Sequence, residues 1–372
     1  METGTNETLM ATIIPSTASD KSITWSSDNS SVATVTSNGS VKAISEGTAT
    51  ITAASNDGSG KKVSCSVTVK PPLITTAEQL LELDGNSGSY TLGADIDIQS
   101  YPLSNKNFYG ILNGNGYTIK NATQILILEN YGTIQNLNIS NCNISINGSI
   151  AAGLVGFNGM SGQIINCSVS GNIVGYGSAH QTTGGIAGWN YGKIINCSNY
   201  AACTSNAEYY INDVGNQKPG NVSCVAGICG ANARIIEKSF NCGKISAIKG
   251  EWYGIAGGIA GDSGIIQNCY NLGEVNSTSV IPYCGGIAGI GGEIENCVNI
   301  GKATAGIMAS NDGYILNCYW LTTASSYCTI NINDGDCKCF ELTGSQMAEQ
   351  SSFPTLDFAS VWTMSSDYPI LK

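Results

Sequence analysis

The sequence predicts an all-β protein in two parts, a small antiparallel β-sandwich over residues 1–70 and a right-handed parallel β-helix with short capping helices over residues 71–372. Three observations predict it. Short alternating runs recur evenly through the first 70 residues, the pattern changes abruptly at Pro71-Pro72, and beyond it two linked motifs repeat at a period of 20 to 42 residues. Composition agrees: charged residues make up 12% of the chain and there are 46 glycines, against about 25% charge in an ordinary globular protein. Such a chain builds many turns and few solvated helix faces.

The first part reads as strands at Ser22–Trp25, Val32–Val35, Ser40–Ile44, Thr48–Ala53 and Val63–Val69, separated by Ser, Asn, Asp and Gly turns. Spacing of this kind suits a sandwich. The residues Thr24-Trp25-Ser26-Ser27-Asp28, Ser31-Val32-Ala33-Thr34-Val35, Asn38-Gly39 and Gly47-Thr48-Ala49-Thr50-Ile51-Thr52 closely resemble the bacterial immunoglobulin-like group 2 family. The resemblance implies an immunoglobulin-like β-sandwich, and the family pattern calls for a further strand ahead of Glu7.

Pro71-Pro72 cannot donate ladder hydrogen bonds, so a boundary is placed there. Thr75-Thr76-Ala77-Glu78 then offers a capping box ahead of Leu80, Leu81 and Leu83, which predicts a short helix ending near Gly85 and covering the end of the repeat core.

The repeats carry the motif Ile-x-Asn-Cys at Ile164, Ile194, Ile266, Ile294 and Ile315, with degenerate copies at Ile134 and Ile236; successive starts are 30, 30, 42, 30, 28 and 21 residues apart. A few residues upstream of each lies a small-residue motif such as Gly184-Gly185-Ile186-Ala187-Gly188. Apolar runs of three to five residues broken by Gly and Asn do not grow helices, so each period is read as one β-helix coil. Asn tolerates the left-handed corner conformation and can bond to the Asn above and below. A ladder is therefore expected at Asn136, Asn166, Asn196, Asn268, Asn296 and Asn317, worth about 1 kcal/mol per bond and interrupted at Lys238. This unit resembles the GLUG repeat of bacterial surface adhesins and some secreted peptidases, over residues 73–372. Thr343 and Gln346 offer a second capping box near the C-terminus.

Of the 15 cysteines, Cys167, Cys197, Cys269, Cys297 and Cys318 share one repeat position with Leu137 and Ser239. A disulfide or metal ligand would not usually alternate with Leu, so they are read as a stack of buried thiols, and no metal or other cofactor is expected. A C-terminal disulfide among Cys328, Cys337 and Cys339 stays open, and Asp334-Gly335-Asp336 is read as a turn ahead of a calcium loop.

Arg234 is the sole arginine and His180 the sole histidine, and the carboxylates Asp262, Asp312, Glu274, Glu293 and Glu295 are scattered. Catalysis on polysaccharide needs clustered acids and bases, so the chain is read as a binding protein and not an enzyme. A net charge of −11 sets aside nucleic acid and anionic lipid. No apolar run is long enough for membrane insertion, and Met1–Met10 lacks the pattern of a signal peptide. Four loops upstream of the glycine motif carry Tyr176 and His180, then Tyr209, Tyr210 and Asp213, then Trp252 and Tyr253, then Tyr283. Stacked on successive coils, they predict an aromatic ridge along one edge. The alternative is that these rings pack on one another and cover the coil edges. The reading is thus a monomeric adhesion module, secreted or displayed on the cell surface, that recognises glycan or a host surface protein. A polysaccharide lyase or hydrolase and a purely structural spacer are the alternatives.

Overall fold

The computed structural model describes residues 1–83, 85, 87–101, 107–177, 180–206, 222–248, 253–310, 313–331 and 337–372. The chain divides into two compact units, Met1–Ile74 with Ser89–Thr91, and Thr75–Gly88 with Leu92–Lys372.

In the first unit, Asn6–Thr8, Ser40–Ala43 and Ala33–Val35 form one antiparallel sheet. Ile23–Ser27, Gly47–Ser55 and Lys62–Val69 form a second. Alternation along these strands directs Val32, Ala33, Val41, Ala43, Ala49, Ile51, Val67 and Val69 into one shared core, with Trp25 against its rim. Gly39 takes φ +82° in the Asn38-Gly39 turn, where a Cβ would strike the Leu9 carbonyl and the Trp25 ring. Ahead of Glu7, Met1–Thr3 lies beside Thr68–Lys70 through the Glu2–Lys70 parallel bridge and a 2.9 Å bond from the Met1 amine to the Thr68 carbonyl.

The second unit is a parallel β-helix whose coils contribute to three walls. Wall A carries the Ile-x-Asn-Cys motif, and its strands place Leu112, Ile134, Ile164, Ile194, Ile236, Ile266, Ile294 and Ile315 in one register. Every member of that row is fully buried. Wall B comprises Ile150–Ala152, His180–Gly184, Val222–Ala226, Tyr253–Gly257 and Ile281–Gly285. Wall C aligns Val155, Ala187, Cys229, Ala260, Ala288 and Met308.

The corner after wall A's isoleucines is left-handed in every coil: Asn136, Asn166, Asn196, Asn268, Asn296 and Asn317 have φ between 52° and 55°, and Lys238 holds the same corner at 49°. Side-chain amides link Asn113, Asn136, Asn166 and Asn196 at 2.7 to 3.1 Å, and Asn296 with Asn317 at 3.3 Å. Lys238 breaks the column and pairs instead with Glu237 at 3.5 Å.

Two further asparagine columns run inside the coil, where sequence reading did not place them. Asn130, Asn158, Asn190 and Asn232 donate each to the next at 2.7 to 2.8 Å. Asn199, Asn241, Asn271 and Asn299 do the same at 2.8 to 2.9 Å. All eight are at most 3% exposed. Seven of them also tie the backbone two residues on, and Asn158 ties Gly162 four residues on; Asn190 accepts from the Gly192 amide and donates to the Gly192 carbonyl. Buried amides are tolerated only when satisfied in this way. They also explain the glycine corners, since a Cβ at Gly185, Gly227, Gly258 or Gly286 would collide with Asn199, Asn241, Asn271 or Asn299 respectively.

The caps differ in detail from expectation. The N-cap of the first helix, Ala77–Leu81, is Thr76 and its capping partner is Gln79, one residue later than the sequence suggests. Glu78 instead accepts a 2.6 Å bond from the Tyr101 hydroxyl. The box fits either register, and the packing of Leu80 and Leu83, each 1% exposed, selects this one. Near the C-terminus, Thr343 and Gln346 cap Gly344–Met347 as read. The closing segment then folds back along the outside of wall A, where Met347, Phe353, Leu356 and Trp362 pack on Tyr270, Val298 and Tyr319 of three successive coils.

Candidate functional site

Of the residues expected to form the ridge, Tyr209, Tyr210, Asp213 and Trp252 lie outside the described residues. His180, Val222, Tyr253 and Ile281 occupy one register on wall B. Tyr283 falls two residues further along its strand, in line with Ile255, and its ring stacks on Tyr253 with centroids 5.8 Å apart. Tyr176 ends a strand of wall A, in register with Asn147 and Asn206. The fold thus brings Tyr253 and Tyr283 into contact, sets His180 in the row of Tyr253, and leaves Tyr176 on the adjoining wall.

A larger aromatic surface lies on wall C. Trp189 is half-buried while its neighbour Asn190 is buried, and Glu129, Phe157, Trp189, Ala231 and Asp262 hold one register beside the buried asparagines. Two residues on stand Tyr131 and Tyr191. The rings meet in sequence: Tyr109 on Tyr131 at 5.3 Å, Tyr131 on Phe157 at 6.4 Å, Phe157 on Tyr191 at 5.4 Å, and Tyr191 beside Trp189 at 6.3 Å with planes 4° apart. Gly159 occupies the place in its coil that Tyr131 and Tyr191 hold in theirs, and a Cβ there would strike the Tyr131 ring. Tyr109 is 50% exposed and Tyr191 37%. A concavity of about 340 Å³ opens where walls B and C meet, lined by Phe157, Trp189 and Tyr191 together with Ile150, Ser149, Thr182 and His180. The rings expected on the ridge lie upstream of the glycine motif; the signal for this surface is Phe157 and Trp189, each directly after the last glycine of the small-residue motif and one coil apart.

Electrostatics around the coils are quiet. The Tyr131 hydroxyl donates to Glu129 at 2.9 Å, and that carboxylate holds the phenol above its ordinary pKa. Lys120 lowers Asp95 and Lys244 lowers Glu274, each in a surface ion pair of 2.8 to 3.0 Å. Asp262 is raised by desolvation and carries no ion pair among the described residues.

Cys167, Cys197, Cys269, Cys297 and Cys318 are free and at most 1% exposed, their thiols donating to carbonyls such as those of Ile165 and Ile195. Burial pushes Cys142 and Cys284 up to about 11 and Cys224 up to about 12. Cys328 and Cys339 form a disulfide, with the free Cys337 thiol 3.1 Å from Cys339. These three sulfurs are the one group of potential metal ligands found among the described residues, and two of them are already joined to each other. The Asp334-Gly335-Asp336 turn lies outside those residues.

Comparison with known proteins assigns the first part. Residues 1–67 match the model of the bacterial Ig-like domain (group 2) family. Two uncharacterized proteins of Clostridium acetobutylicum are 46% identical over 63 residues and 41% identical over 95, which are 17% and 25% of this chain and 6% and 24% of theirs. An alpha-L-arabinofuranosidase of Bifidobacterium longum is 37% identical over 119 residues, 32% of this chain and 10% of that protein. The chain therefore spans less than a quarter of the length of these relatives. Among solved structures, a candidate immunoglobulin A1 protease of Bacteroides ovatus aligns over 82% of this chain and 92% of its own, with a TM-score of 0.47 and 18% identity. No helix among the described residues is long and apolar enough to cross a membrane.

Proposed function

We propose that this chain is a non-catalytic binding module of a bacterial surface protein, in which the immunoglobulin-like unit serves as a spacer and the β-helix engages glycan or a surface protein through its exposed flank. The observation that carries this reading is the run of solvent-facing rings on a wall whose backbone is fixed by buried amide columns. Rigid aromatic side chains give large contact area for little loss of conformational freedom. No Asp or Glu lines the concavity beside Phe157, Trp189 and Tyr191, which favours binding there over glycoside cleavage, a reaction that requires two carboxyl groups about 5 to 10 Å apart. A bacterial Ig-like domain at the N-terminus fits display outside the cell. Recurrence of a 119-residue stretch within a much longer alpha-L-arabinofuranosidase fits a portable module attached to larger proteins.

The test is adhesion of the whole chain to a glycan array, to immobilised surface proteins and to intact cells. The reading expects saturable binding to at least one of these and no release of reducing sugar from polysaccharide. Absence of binding in all three formats, or turnover of a polysaccharide, would refute it.

A further inference from the structure

We infer that the wall C rings form a subsite for an uncharged polysaccharide, with one sugar seated in the concavity beside Phe157, Trp189 and Tyr191 and the polymer running across the coils toward Tyr131 and Tyr109. This deepens the binding reading above and rests on it.

Three features select a sugar. The concavity combines ring faces with the hydroxyl groups of Ser149 and Thr182 and the imidazole of His180. A pyranose or furanose offers the matching pair of surfaces, C–H groups for the rings and hydroxyls that both donate and accept. Its volume of about 340 Å³ sits at the lower end of small-molecule sites, about 300 to 1,000 Å³, the scale of one or two sugar rings. Third, the rings continue beyond it: coils repeat every ~4.8 Å, so the file from Trp189 to Tyr109 spans about 14 Å over four coils and gives successive sugars of one chain a continuous support.

Charge selects among sugars. None of the seven lining residues is a Lys, Arg, Asp or Glu. The one carboxylate in the file, Glu129, is engaged by the Tyr131 hydroxyl. The whole chain carries −11 and no Lys or Arg lines the concavity, so uronate- or sialate-rich polymers meet net repulsion there.

One end of the site is defined by small residues. The next coil places Ala231 in the row of Trp189, and Ala233 where Tyr191 stands in its own coil. The aromatic surface therefore steps down past Trp189 and Tyr191, and the polymer extends from the concavity toward Phe157 and Tyr131, not toward the later coils.

Affinity gel electrophoresis of the full chain in arabinan, xylan, glucomannan and mixed-linkage glucan, against polygalacturonate and alginate, tests the inference. Retardation is expected in at least one neutral polymer and in neither acidic one. Trp189→Ala and Tyr191→Ala are each expected to weaken binding at least 10-fold, and the double variant to abolish it. Melting temperatures stay within a few degrees of the parent, because these rings lie on the surface. His180→Ala, on an exposed side chain, is expected to weaken binding severalfold and keeps the test open if Trp189→Ala unfolds. Failure of the wild type to enter any neutral polymer, or parental binding by the double variant, would overturn it. If the chain adheres to protein or cells with loss only on Tyr253→Ala or Tyr283→Ala, the subsite falls and the binding reading survives. If it adheres to nothing, both fall.

Discussion

Two aromatic files run along the outside of the same coil, and they meet different fates. On wall A, Phe240, Tyr270, Val298, Tyr319 and Phe340 hold one outward register. Tyr270 and Tyr319 are 6% and 1% exposed because the chain's own closing segment lays Phe353 and Trp362 over them. On wall C, Tyr109 and Tyr191 are exposed and Tyr131, Phe157 and Trp189 half-buried. Outward rings at coil spacing are thus not by themselves a binding signature. Among the described residues, what distinguishes the two walls is whether a segment of the chain already lies over the rings.

The comparison breaks first at Trp362. It is fully buried in the wall A cluster, so Trp362→Ala should destabilise the second unit by about 3 to 5 kcal/mol. Trp189→Ala, which removes a half-buried ring, should cost less, about 1 to 2 kcal/mol. Paired denaturant melts read both, and equal losses would erase the distinction between covered and open flank.

Next comes the amide column beneath the open flank. Asn190→Ala strands the Asn158 donor, the Asn232 acceptor and the Gly192 backbone, at a cost of about 2 to 4 kcal/mol. Stability and ligand binding should fall together, whereas loss of a ring lowers binding alone. Hydrogen exchange at Gly192 is the sensitive readout, and unchanged protection would mean that the column does not hold the wall.

The two units also separate by pH. The sandwich holds one thiol, the exposed Cys65, while the coils bury most of theirs. Cys142 and Cys284, at about 11, and Cys224, at about 12, stay protonated in the fold where the unfolded chain ionises near 9.0. With the folded pKa raised, stability is fully present below pH 9 and drains as pH climbs from 9 toward 11 to 12, by about 1.4 kcal/mol per thiol per pH unit. The coil melting temperature should therefore drop steeply across that window with little change in the sandwich. Mass-spectrometric alkylation at neutral pH should mark Cys65 first and leave Cys167, Cys197, Cys269, Cys297 and Cys318 untouched.

The smallest expected effect is a gain. Lys238→Asn restores an amide to the interrupted corner column, at a residue already left-handed, and should add about 0.5 to 1 kcal/mol. No gain would show that the Glu237 ion pair and the exposed Lys already match the amide bond.

Much of this architecture was legible because a β-helix writes its period into the chain. Left-handed corners favour Asn, buried thiols recur one position later, and the backbone course survives even where both are replaced, as in Ile236-Glu237-Lys238-Ser239. The interior amides were visible in Cys197-Ser198-Asn199, Cys269-Tyr270-Asn271 and Cys297-Val298-Asn299, yet polarity argued for a corner or loop. Only backbone partners supplied by neighbouring coils make that position habitable for Asn. The covered flank was illegible for a related reason, since Trp362 reaches Tyr270 across 92 residues of sequence and no local pattern announces such a pairing. Of the residues expected on the ridge, Tyr253 and Tyr283 fall on neighbouring strands of wall B and His180 on a strand further along it, while the rings of Phe157 and Trp189 sit inside regular strands, where no loop marks them.

Hydroxyl-radical footprinting of the intact chain, with and without a bound neutral polysaccharide, tests the central distinction most directly. Phe157, Trp189 and Tyr191 should oxidise in the free protein and become protected on binding, while Tyr270, Tyr319 and Trp362 should remain unlabelled in both states. Wall C rings already protected without ligand, or protection appearing elsewhere on the coil, would contradict the account.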